Sequence, residues 1–80
     1  MQLIQGQFSA QDAVKLLTEM VHIKIKHHES KINPSSSEED VKMREKRIKT
    51  LQKDLFELRE AIQSAGKPVA IESLLKISLP

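Results

Sequence analysis

A polar break of five residues, Asn33-Pro34-Ser35-Ser36-Ser37, constrains this chain more than any other feature. Proline disfavours helical geometry in the residue before it, and serines form turns and caps. Long amphipathic stretches free of helix breakers lie on either side. The first begins at Ser9, which can cap the free backbone N–H groups. Asp12 follows three residues later, as in a capping box, and Phe8 is placed to staple against Ala13. The pattern then runs to about Ile32. At 100° per residue, Ala13, Leu16, Leu17, Met20, Val21, Ile23, His27 and His28 share one broad face. Beyond the break, Ser36 with Glu39 or Ser37 with Asp40 forms a second capping box. Glu38, Glu39 and Asp40 favour the positive end of the helix dipole. Ile48, Leu51, Leu55, Leu58 and Ile62 then alternate by three and four, the heptad seam of coiled-coil packing. Glu38–Lys42, Asp40–Arg44 and Glu45–Lys49 are acid-before-base pairs at i,i+4. Gly66 suits a left-handed cap, and Pro68 stops any continuation.

These signals predict a single domain over 1–80. A short strand or lead-in covers 1–8, helix one 9–32, the turn 33–37, helix two 38–65, and a strand 69–79. The strand rests on a change of period after Pro68, where Val69, Ile71, Leu75, Ile77 and Leu79 alternate with other residues. Ile71 to Ile77 also fits a short third helix. The fold class is mainly α: an antiparallel two-helix, coiled-coil-like hairpin with short terminal β-strands that pair antiparallel. Centring the turn near Ser35 and Ser36 pairs residues whose numbers sum to about 71. That register sets Leu16 by Leu55, Met20 by Leu51, Ile23 by Ile48, and His27 by Arg44 as a polar layer.

Eighty residues bury only a small core, and without cysteine no disulfide can staple it. The apolar face of helix one is wider than one partner helix covers. Val14, Val21, Ile25 and Ile32 lie beside the seam, and Phe56 flanks the second seam. With Ile71, Leu75 and Ile77 of the terminal strand, they form a candidate interaction face. A strand of about ten residues would also leave an open edge. Both points predict a homodimer or another protein partner.

Candidate chemistry is sparse. His22, His27 and His28 are spaced by five, six and one, whereas helical metal pairs need three or four. The only glycines are Gly6 and Gly66, so no phosphate loop, dinucleotide motif or nucleophile elbow is possible. The expectation is no enzyme activity, no cofactor and no metal. No apolar run approaches a membrane span, and the first residues lack a signal-peptide pattern, which predicts a cytoplasmic protein with no membrane partner. The net charge of +2 is small, but the basic residues are clustered. Lys42, Arg44, Lys46, Arg47, Lys49 and Lys53 gather on helix two, and folding brings them towards Lys24, Lys26 and Lys31. This basic turn end could hold nucleic-acid phosphates or an acidic partner. Against nucleic acid, there is no tyrosine or tryptophan for base stacking.

Ile4-x-Gly6-x-Phe8-Ser9 entering a helix, His28-Glu29-x-Lys31-Ile32, Glu38-Glu39-Asp40 and Arg47-Ile48-x-x-Leu51 together resemble small bacterial helical-hairpin proteins of unassigned function. The resemblance covers most of the chain. It implies a hairpin fold and a bacterial source, and it carries over no activity. The functional expectation is a non-enzymatic interaction or self-assembly module; the alternative is binding of an anionic partner at the basic end.

Overall fold

Local sequence decides where each element starts and stops. The computed structural model describes residues 1–79 and contains β1 (Gln2–Phe8), α1 (Ala10–Ser30), α2 (Glu38–Ala65) and β2 (Val69–Leu74). Ser9 Oγ accepts the Asp12 N–H at 3.1 Å and starts α1. Ser37, not Ser36, caps α2 by accepting the Asp40 N–H at 3.1 Å. Ser36 is engaged in the turn instead: its hydroxyl donates to the Lys31 carbonyl and accepts the Asn33 N–H. Asn33 Oδ1 accepts the Ser35 N–H at 2.8 Å, an Asx turn around Pro34. This network ends α1 at Ser30, two residues before Ile32. The Lys31 and Ile32 N–H groups reach back only three residues, to His28 and Glu29. Gly66 ends α2 in the left-handed region at φ +59°, and its N–H donates to the Ile62 carbonyl.

The two strands form an antiparallel sheet in which Phe8 faces Val69, Gly6 faces Ile71 and Ile4 faces Ser73. A bulge between Gln2 and Ile4 shifts the register, so that Gln2 faces Leu74. Val69, Ile71 and Ser73 are half-buried and alternate with exposed Ala70, Glu72 and Leu74. The inward row thus takes the odd numbers, and the alternation answers the third-helix possibility in favour of a strand. The strand is shorter than expected: residues 75–79 lie outside it, although Leu75 and Met1 still exchange two backbone hydrogen bonds, at 2.8 and 3.0 Å.

The helices pack against each other, while the sheet touches α1 lightly at its N-terminal end. The whole is a thin plate, 46 × 33 × 13 Å between Cα extremes. Its radius of gyration, 15.4 Å, compares with about 12 Å for a compact domain of this length. The buried apolar side chains are Ala13, Ile25, Leu55 and Ile62. One layer of elements has no second layer to close a core against.

The buried side of α1 overlaps the expected face, with Ala13 buried and Leu16, Leu17 and Met20 half-buried, but Ile23 and His27 fall outside it. Val14, Val21, Ile25, His28 and Ile32, spaced by seven, four, three and four, are buried or half-buried. Ile23, expected opposite Ile48, is 70% exposed, and His27 is exposed. The reason is angular: Ile23 sits about 160° around the helix from Ile25. Both cannot face α2, and the stripe through Ile25 is the longer one. On α2, Ile48, Leu51, Leu55 and Ile62 turn inward as their spacing requires, whereas Leu58 remains 44% exposed.

Candidate functional site

The polar layer between the helices is built by His28, not His27. His28 is 8% exposed, and its Nδ1 lies 3.3 Å from Arg44 Nη1. Arg44 has no lone pair to offer, so the guanidinium donates and Nδ1 accepts, which leaves the ring proton on Nε2. Arg44 Nε lies 3.5 Å from Asp40 Oδ2, within ion-pair range but without a hydrogen bond. Burial of the ring, then the positive charges of Arg44, His27, Arg47 and Lys24, hold the His28 pKa below its usual value. Arg44 is therefore spent inside the chain, where an external anion meets little of it.

The other basic residues divide over different faces. Lys24, Lys46 and Arg47 line one groove beside the helix contact, together with His28, Met43, Leu51 and Asp54. Lys26 lines a second groove, with Glu29 and Arg59 beside Ile25, Leu55 and Phe56. Residues 24 and 28 lie on one flank of α1 and residues 22, 26 and 29 on the other, as helical spacing requires. Lys42, Lys46, Lys49 and Lys53 form a stripe along α2 with Glu45. Lys31 sits exposed at the C-cap of α1. Among the described residues the ion pairs are Lys42–Glu38 at 3.3 Å and Arg44–Asp40; the expected Glu45–Lys49 pair is not formed. No group of three potential metal ligands converges among these residues, and no helix is long and apolar enough to cross a membrane.

The candidate interaction face is only partly free. Ile25 is buried within the chain, and Val14, Val21, Ile32 and Ile71 are half-buried. Phe56, Leu75 and Ile77 remain exposed, Ile77 at 75%. Met1, Leu3, Leu74 and Leu79, which the sequence reading did not single out, add to this surface at the strand end, as do Ile23 and Met43 on the helices. The alternation of Leu75, Ile77 and Leu79 was the signal that could have marked Leu79. The total accessible surface, 6595 Å², exceeds the roughly 4,900 Å² of a compact monomer of this mass by about 1,700 Å². Compared with known proteins, the chain matches no protein-family model, no curated sequence and no solved structure.

Proposed function

We propose that this chain is a non-enzymatic self-assembly module, a coiled-coil-like helical hairpin that works as a homodimer. One observation carries the reading: a plate 13 Å thick leaves large apolar side chains uncovered. A typical stable interface buries about 800 Å² per partner, and the surplus of about 1,700 Å² is ample for an obligate one. Exposed apolar surface of this extent marks an association site. Sedimentation velocity at micromolar concentration tests the proposal. A dimer is expected; a monomer would sink it.

A second reading is favoured by one specific observation. Lys24, Lys46 and Arg47 share a groove and have no ion-pair partner among the described residues. The charges of Arg47 and Lys24 also work against protonation of His28. Such a groove would take an anionic partner, nucleic acid or an acidic protein. Binding to a nucleic-acid duplex that weakens steeply with salt supports this reading, and no binding at low salt removes the duplex as partner.

A further inference from the structure

The end of β2 gives the proposed self-association a geometry. β2 turns a row of odd-numbered residues to the covered side of the sheet. Val69, Ile71 and Ser73 are half-buried there. The alternation in the sequence extends this row beyond the strand through Leu75, Ile77 and Leu79, which are exposed, Leu79 at 89%. Residues 76–79 carry no backbone hydrogen bond among the described residues, and the edge of β2 away from β1 is unpaired. A two-stranded sheet is marginal, and three or more strands with a covered face are needed for stability.

We infer that the occupant of this edge is a second copy of the chain. The two C-terminal segments pair antiparallel about a twofold axis at Leu74, making a four-stranded sheet in the order β1-β2-β2-β1. This rests on the self-assembly proposed above. With the axis perpendicular to the sheet, the helices of both copies lie on one side of it. Residue numbers across the junction sum to 148, so Ile77 faces the partner's Ile71 and Leu79 faces the partner's Val69. Each uncovered end of the row then lies over the part of the sheet that the partner's helices cover.

The other side of the sheet selects this register from its neighbours. A sum of 148 places Glu72 opposite the partner's Lys76, twice by symmetry. Shifting the sum by two in either direction sets Glu72 against serine or leucine instead. Glu72 Oε1 accepts from Gln2 Nε2 within its own chain, which leaves the second carboxylate oxygen for Lys76. Lys76 has no ion-pair partner among the described residues. Beyond the Met1–Leu75 pair β1 does not reach residues 76–79, and the pairing gives them a ladder on the opposite edge of the strand.

The experiment uses the full chain. Residues facing each other across antiparallel strands lie about 4.5–5.5 Å apart between Cα atoms, within disulfide reach. Leu74→Cys should cross-link to a covalent dimer under mild oxidation, while Ser64→Cys at the exposed end of α2 should not. Ile77→Lys should weaken association at least tenfold, whereas Gln63→Lys, at an exposed polar position of α2, should leave it unchanged. Glu72→Lys and Lys76→Glu should each weaken it several-fold, and the double exchange should restore it. A dimer that ignores Ile77→Lys, or Leu74→Cys that does not cross-link, overturns this pairing and leaves self-assembly standing. A monomeric wild type overturns both.

Discussion

At His28 a single side chain joins fold to solution behaviour. The imidazole accepts from Arg44, whose own countercharge is Asp40, and feels the positive charges of His27, Arg47 and Lys24. Its folded pKa lies below the usual value of 6.5. As pH falls through 6.5, the unfolded chain takes up the proton before the folded one does, and stability drops. Above 6.5 both states are neutral at this site and the contribution is constant. His28→Gln retains an acceptor for Arg44 and removes the titration. The thermal unfolding midpoint of the wild type should therefore fall between pH 7 and pH 5.5 more than that of His28→Gln, as followed by circular dichroism. A second residue tests the helix end. Gly66 holds φ +59°, where a Cβ is strained even though open space surrounds it. Gly66→Ala should cost about 1 kcal/mol in urea unfolding.

The helices show how equal spacing can yield unequal burial. Leu55 and Leu58 belong to the same three-four alternation, yet Leu55 is buried and Leu58 is nearly half exposed. Leu58 lies about 60° around α2 from Leu55, whereas Ile62, further along the helix, lies only about 20° from it and is buried. Leu55→Ala should lower unfolding free energy by about 2–3 kcal/mol, because it empties a site that cannot collapse fully. Leu58→Ala should cost under about 1 kcal/mol in the single chain, as an exposed position does. If Leu58 costs as much as Leu55, the partner copy covers it. At this scale most boundaries were legible in the sequence. Ser9, Ser37 and Gly66 are local signals, and each acts on backbone groups within four residues. The helical pattern runs to Ile32 but α1 ends two residues earlier, because the turn around Pro34 engages the backbone of Lys31 and Asn33 through Asn33 and Ser36.

As a whole, the molecule is one layer whose surface is too large for its mass. If folding is completed by a second copy, the unfolding midpoint must rise with protein concentration. Scanning calorimetry over a hundredfold range checks this, and a constant midpoint would mean that the single layer is stable alone. The sequence by itself determined the two helices, their caps, the polar turn and the antiparallel meeting of the chain's two end segments, because these follow from neighbours along the chain and from period. It also marked Lys24, Lys46 and Arg47, the basic residues of the groove beside His28. Only the tertiary structure decided which stripe of α1 faces α2, that His28 rather than His27 meets Arg44, and that Ile25 is spent inside while Ile23 is not. The physical reason is that α1 is apolar over more than half its circumference. Local pattern leaves such a helix free to rotate, and only packing against α2 and the sheet fixes its angle.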